Sequence, residues 1–309
     1  MLEYIPGVIE MELRVLEYFL AIAKEQSIIK AAHSLHLSQP TLSIQIKKLE
    51  EELGKPLLIR GSKGTRKVTL TEEGMILKKR AEEILSLVNK AEKEIMLSDS
   101  IIIGDIDIAT GESEGVRTIA KCASMLCSTN PGIHYHLYSG NSDFVLDKLD
   151  NGLVDFGIVF DQVDLKVYNS VLLPPIDTWG VLMRSDSPLA SREYITPEDL
   201  WDKPLIVSQA ESSGGEVIQW LGKDVEELNI IATYNLLFNT TFLVEEGLGY
   251  AICFNNIICT CEDGDLVFRP LEPTLTAHMY LVYKKSKSLS KPAEKFLEIL
   301  KEEIIKSED

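Results

Sequence analysis

Residues 27–53, SIIKAAHSLHLSQPTLSIQIKKLEEEL, constrain the fold more than any other stretch, because their apolar spacing calls for two helices joined by a very short turn. The first helix starts at the N-cap candidate Ser27 and buries Ile28, Ala31, Ala32 and Leu35; the second starts at Ser38 and buries Leu42, Ile46, Leu49 and Leu53. Only His36 and Leu37 lie between them. Ala31 and Ala32 are small enough for the axes to approach closely, and Leu37 fills the angle, as a helix-turn-helix requires. The second helix then shows solvent Gln39, Thr41, Ser43, Gln45, Lys47 and Lys48, with no acid before Glu50. Hydroxyls, amides and a helix N-terminus backed by lysines suit phosphate positioning and base-edge contacts in a DNA major groove. A plain αα-hairpin with a polar outer face has the same periodicity, so the flanking segments decide.

They favour DNA. Residues 54–71, GKPLLIRGSKGTRKVTLT, read as a turn, a strand over 57–60, a Gly-Ser-Lys-Gly-Thr tip and a strand over 67–70. Arg60, Lys63, Arg66 and Lys67 cluster there, and a basic two-stranded wing beside a helix-turn-helix can grip the phosphate backbone or a minor groove. The whole-chain charge of -17 argues against a nucleic-acid partner only if it is spread evenly. It is not: residues 11–70 hold 10 Lys or Arg against 6 Glu, a local +4 on an otherwise acidic chain. Such a face orients DNA as well as attracting it. Ahead of the pair, Leu13, Leu16, Phe19, Leu20, Ile22 and Ala23 mark a helix over 12–24 that completes a three-helix core. Residues 1–10 receive no function.

After the wing, Thr71 is a natural N-cap, and no Pro or Gly interrupts residues 75–97. Leu77, Ala81, Ile84, Val88, Ala91 and Ile95 follow one another at spacings of 4, 3, 4, 3 and 4, a heptad seam on a helix that would reach on the order of 35 to 40 Å. A seam of that length backed by charge calls for a second chain; the alternative is a surface helix lying on its own domain.

The run LEYFLAIAKEQSIIKAAHSLHLSQPTLSIQIKKLEEELGKPLLIR, followed by VTLTEEG, resembles the N-terminal region of LysR-type transcriptional regulators, over roughly the first third of the chain. That resemblance implies a winged helix-turn-helix and a linker helix that pairs two subunits, with Ser38, Gln39, Pro40 and Ser43 at positions that usually face DNA. Two residues depart from the family pattern. Ile44 stands where a basic or polar residue is common, which removes one expected contact; Leu58 stands where Phe is common, which alters packing.

The remaining two thirds alternate strand and helix signals. Strands are expected at 101–109, 133–138, 154–160, 171–183, 204–208, 230–234, 250–254 and 278–283, with helices at 116–129, 143–151, 215–221, 240–246 and 292–305. The alternation predicts parallel α/β layers, and about 210 residues suit two small lobes. The family resemblance, weaker here and best at residues 152–156 and 245–252, implies an effector domain like periplasmic solute-binding proteins. The expected fold class is therefore α/β: a winged helix-turn-helix at 11–70, a linker helix at 71–98 and a two-lobed effector domain at 99–309. Lobe I takes 99–160 and 266–309, lobe II 161–265.

Ligands of open α/β sheets bind at the carboxyl ends of strands, near helix N-termini. The loops that follow the strands nominate Ser113, Asn141, Ser142, Gln209, Asn239 and Thr240 as hydrogen-bonding effector residues, though each also fits a helix-cap or turn role. Beyond Arg117 these loops hold no cation, while Glu112, Glu114 and Glu211 are near, so a neutral or zwitterionic effector is favoured over a multiply charged anion.

There are 5 cysteines, Cys122, Cys127, Cys253, Cys259 and Cys261; the odd count, with no signal peptide and no apolar run of about 18 residues, points to a cytoplasmic chain with reduced thiols. Some members of the family sense oxidants through a disulfide, so a thiol or metal sensor built on Cys253, Cys259 and Cys261 is the alternative function. CxC without a second paired cluster is a weak metal signal. Walker A, GxGxxG, GxSxG and HExxH motifs are absent, so neither an enzyme nor a bound cofactor is expected. A solute-binding or catalytic α/β protein with an idle helical preface is the remaining class. The expected partners are double-stranded DNA, an unidentified small-molecule effector and a second copy of the chain; a homotetramer is what the family implies, and no membrane is expected.

Overall fold

Two adjacent alanines set the architecture of the N-terminal part. In the computed structural model, which describes residues 11–60, 67–96, 102–160, 163–258 and 264–308, α2 (Ile28–Ser34) buries Ala31 and Ala32 against α1 (Leu13–Glu25) and α3 (Gln39–Leu53). Val15, Phe19, Ile22, Leu42, Ile46 and Leu49 fill the same core. The turn closes when Leu37 N–H donates to the Ala32 carbonyl (2.8 Å) and His36 takes the left-handed region at φ 55°. Ser27 and Ser38 cap α2 and α3 by accepting from Lys30 N (3.4 Å) and Thr41 N (3.2 Å). A wing follows, in which β1 (Leu58–Arg60) pairs antiparallel with β2 (Val68–Leu70). The Glu50 carboxylate pins its start by accepting from Leu57 N (2.8 Å) and Leu58 N (3.1 Å), so the first acid of α3 has a structural task.

The long helix α4 (Glu72–Met96) begins where Thr71 accepts from Gly74 N (2.9 Å) and donates to the Pro56 carbonyl (2.8 Å). Its expected seam divides in two. Leu77 packs on the core just described and Ala81 is fully buried, because α1 lies along the first turns of α4. Ala81 is therefore covered within the chain, a correction to its place in a two-chain seam, whereas Leu77 stays half-buried. Ile84 and Ala91 are exposed and Val88 is half-buried, while the Ile95 side chain lies outside the described residues. Ile76 and Leu87 share the exposed side at about 3.6 residues per turn.

Residues 97–309 form a second compact unit. Its elements are β3 (Gly104–Thr110), α5 (Val116–Thr129), β4 (Ile133–Ser139), α6 (Ser142–Asp150), β5 (Phe156–Val159), β6 (Tyr168–Arg184), α7 (Pro197–Leu200), β7 (Leu205–Ser208), α8 (Glu216–Leu221), β8 (Ile230–Tyr234), α9 (Phe238–Glu245), β9 (Tyr250–Phe254), β10 (Leu266–Pro270), β11 (Thr276–Lys284) and α10 (Lys291–Glu308). The strand order is β4-β3-β5-β11-β6-β9-β7-β8, with β10 on β6. Only β4-β3-β5 and β9-β7-β8 are parallel; β6 and β11 run antiparallel to each other and to their other neighbours, which corrects the expectation of parallel layers throughout.

The 17-residue β6 serves both halves: Tyr168 to Leu173 register with Lys284 to Met279 in the first lobe, and Trp179 to Leu182 with Phe254 to Ala251 in the second. β10 pairs with Gly180 to Arg184 in that second lobe. On this pairing the lobe crossovers fall inside β6 and between β10 and β11, later in the chain than 160/161 and 265/266.

Each lobe has its own core. Phe156 and Phe296 (ring centroids 5.5 Å) sit with Ile106, Ile108, Leu126 and Leu281 in the first; Val181, Leu205, Val207, Val217 and Ile252 lie in the second. Buried Asp155, from the segment that resembled the family, accepts from Asp107 N (3.1 Å) and faces Lys287 (3.6 Å). Gly249 is required by packing, since a Cβ there would lie 2.5 Å from the Pro204 carbonyl oxygen.

Two outcomes follow. A Cβ at Gly74 would sit 2.2 Å from the Leu57 carbonyl oxygen. Helix propensity favours Ala over Gly by about 1 kcal/mol, yet a clash with fixed backbone costs about 1–3 kcal/mol. Gly74→Ala should therefore lower the urea midpoint read by far-UV circular dichroism, and leave tryptophan fluorescence unaffected, because Trp179, Trp201 and Trp220 all lie in the second unit. Glu303 on α10 holds Lys121 on α5 (2.7 Å) and Lys306 (2.8 Å), and these partners pull its carboxyl down to about 2. A depressed carboxyl stabilises the fold above its unfolded pKa and ceases to do so as pH falls through the folded one. Glu303→Gln should lower the melting temperature at pH 7, with the difference from wild type shrinking below about pH 4.5 and gone near pH 2.

Candidate functional site

The outer face of α3 is assembled from residues that the core does not use. Leu42, Ile46 and Leu49 point inward, which leaves Gln39, Pro40, Thr41, Ile44, Lys47 and Lys48 exposed, with Ser43 and Gln45 half-buried at the margins. The first turn carries no acid. Ser38 has a double engagement, since its hydroxyl caps the helix and lies 2.7 Å from Thr41 Oγ1, while Gln39 Nε2 donates to Ser43 Oγ (3.3 Å). Lys47 and Lys48 pair with Glu51 (3.3 Å) and Glu52 (3.4 Å) one turn later. These exposed pairs are weak and exchangeable. Arg60 ends β1 but its side chain lies outside the described residues, as do Lys63 and Arg66.

In the second unit, a cleft of about 270 Å³ opens between the carboxyl ends of strands from both lobes. Gly111 and Glu112 follow β3, Asn141 and Ser142 start α6, Gln209 and Glu211 follow β7, and Asn235 follows β8. The structure thus brings Asn141, Ser142 and Gln209 together as expected. Ser113, Asn239 and Thr240 are not on its lining. The Ser113 hydroxyl donates to the Asp177 carboxylate on β6 instead. α9 starts at Phe238, two residues earlier than its sequence pattern indicated, so the loop end facing the cleft is Leu237. Thr240 is then buried inside α9 and Asn239 is exposed away from the cleft.

Residues read as core or ignored in the sequence supply much of the wall: Phe160, Trp179, Tyr234, Phe254, His278 and Tyr280. Strand aromatics carry no signal that separates a core position from a cleft position, whereas Glu112 stood in a nominated loop. The Phe160 and Phe254 rings lie 4.8 Å apart, and those of Trp179 and Phe254 4.0 Å. Trp179 Nε1 is buried with no acceptor among the described residues.

Three consecutive residues after β3 tie the first lobe to the second. The Glu112 carboxylate accepts from Leu237 N at the start of α9, Ser113 donates to Asp177, and the Asn256 amide donates to Glu114. Burial pushes the Asp177 carboxyl above its usual range, with the Ser113 hydroxyl and Glu114 N–H opposing.

Cys253 is buried on β9, and burial pushes its thiol up to about 12, which leaves almost no thiolate at neutral pH. Cys259 and Cys261 lie outside the described residues. Among the described residues, nothing in the geometry favours the thiol-sensor alternative. Among the described residues, no helix is long and apolar enough to cross a membrane.

Residues 13–75 match the family model described as bacterial regulatory helix-turn-helix protein, lysR family, and residues 103–304 match the LysR substrate binding domain. The chain is 28% identical over 308 residues to the Hca operon transcriptional activator HcaR of Escherichia coli, spanning 95% of this chain and 98% of that protein. It is 33% identical over 198 residues to the DNA-binding transcriptional dual regulator OxyR of the same species, spanning 64% and 63%. The crystal structure of CbnR, a LysR family transcriptional regulator, has the same fold at a TM-score of 0.73 with 18% identity, covering 94% of this chain and 99% of that one. With both models matched, and one of them spanning most of the chain, this protein belongs to the LysR family of DNA-binding transcriptional regulators with an effector-binding domain.

Proposed function

We propose that the chain is a sequence-specific regulator, not an enzyme, that acts in the cytoplasm, reads double-stranded DNA with α3 and answers to a small molecule held in the cleft. The observation that carries this reading is the outer face of α3, where an acid-free first turn, hydroxyls, amides and two lysines stand clear of the core. Ser38, Gln39, Pro40, Thr41, Ser43 and Gln45 meet base edges and nearby phosphates, and Lys47 and Lys48 meet the backbone. Arg60, Lys63 and Arg66 grip from the wing. Two chains pair through the exposed side of α4, with Ile76, Ile84, Leu87 and Ala91 as the contact stripe, and present two recognition helices to a dyad-symmetric site. Assembly of two such dimers into a tetramer is consistent with the family. Asn141, Ser142 and Gln209 contact the effector directly; Ser113, Asn239 and Thr240 support it through the lobe contacts and α9. An effector that binds one lobe arrangement better than another shifts the population, and with it the DNA complex.

Ile44 is 65% exposed in the middle of the DNA-facing side, where it serves no core. Its methyl groups fit a thymine C5-methyl in the major groove.

Affinity for the chain's own upstream DNA should exceed that for random DNA, and equal, salt-limited binding to both would refute the reading. Gln39→Ala or Ser43→Ala should reduce discrimination between cognate and mismatched sites by about 1–3 kcal/mol, whereas Lys48→Ala should weaken all DNA alike and lower the salt slope by about 1. Replacing the contacted thymine by deoxyuridine should cost about 0.8 kcal/mol, or roughly fourfold, in wild type and nothing further in Ile44→Ala. Equal losses in both proteins would remove Ile44 from the contact.

A further inference from the structure

The charge of the cleft is one-sided. Glu112, Glu211 and Glu216 are on its lining, and no Lys or Arg is among the described lining residues. The field behind them has the same sign, since residues 97–309 hold 34 acidic and 16 basic side chains. One backbone donor that would attract an anion is, moreover, already taken. Leu237 N, at the start of the 8-residue α9, is met by the Glu112 carboxylate from the opposite lobe. An anionic effector at that point would have to displace a protein carboxylate and then lie beside it.

Other parts of the wall ask for a different ligand. Phe160, Trp179 and Phe254 form a contiguous aromatic surface, which favours a cation over its ring faces. The volume, about 270 Å³, lies just under the roughly 300–1,000 Å³ of small-molecule sites, so the occupant is small.

From carboxylates and aromatic wall together, we infer that the effector is a small molecule bearing a protonated amine, of zero or positive net charge. A basic amino acid has this chemistry. The ammonium group sits among Glu112, Glu211 and Glu216 over the aromatic surface. This inference rests on the cleft being the effector site.

The intact chain should be titrated with L-arginine, putrescine, succinate and benzoate, read by thermal shift and by tryptophan fluorescence. Arginine and putrescine should raise the melting temperature and perturb the fluorescence, and the two carboxylates should do neither. Glu216→Gln, at an exposed position, should keep the unliganded melting temperature and weaken arginine by about tenfold or more. The absence of a shift with both amines overturns the inference, as does amine binding that Glu216→Gln and Glu211→Gln leave unchanged. Gln209→Trp, which fills the cleft from an exposed loop, separates the two levels. A carboxylate that stabilises wild type but not Gln209→Trp sinks the ammonium class and keeps the cleft; probes that stabilise both proteins equally sink the cleft itself.

Discussion

The antiparallel pair of β6 and β11 is the constraint on which the second unit depends. Each strand is paired in both lobes or between them, so two parallel half-sheets are joined by continuous hydrogen-bonded backbone instead of flexible linkers. Because a strand rises about 3.3 Å per residue, the 17 residues of β6 are long enough to cross from one half-sheet to the other without a break. The carboxyl ends of the parallel strands then face one another across the crossing, and the cleft is the space they leave. Trp179, Asp177, Thr276 and Ala277 are at that crossing; three of them line the cleft, and Asp177 anchors the loop after β3.

Carboxylates do much of the local organisation. Glu50 holds the start of the wing, Asp155 holds the approach to β5, Glu211 accepts from Val217 N in the first turn of α8 (2.7 Å), and Glu112 reaches across to α9. A chain this acidic spends some of its negative charge on backbone donors that would otherwise be open to solvent or to anions. The same habit gives the cleft its polarity. At the cysteines, burial has the opposite effect on ionisation, keeping Cys122 and Cys253 protonated and chemically quiet.

In the first unit, the short turn between α2 and α3 forces an allocation of side chains. Whatever points inward must be small on α2 and branched on α3; whatever remains is free for recognition. The same economy applies to α4, whose early turns complete the core under α1 while its later turns keep apolar residues exposed.

Much of this was legible in residue order. Local signals determined the helix-turn-helix, the caps at Ser27, Ser38 and Thr71, the wing, the long helix and most strands, because caps, turn residues and apolar period act over a few positions and are written where they act. The loops around Asn141, Ser142 and Gln209 were legible for the same reason. Tertiary structure decided the rest: the antiparallel run of β6 and β11, the addition of β10, the burial of Ala81, the two-residue shift of α9 that removed Asn239 and Thr240 from the cleft, and the aromatic wall around Trp179. These depend on contacts between residues far apart in the chain, such as Glu112 with Leu237 and Ser113 with Asp177, and no local pattern records which distant partner a side chain will meet.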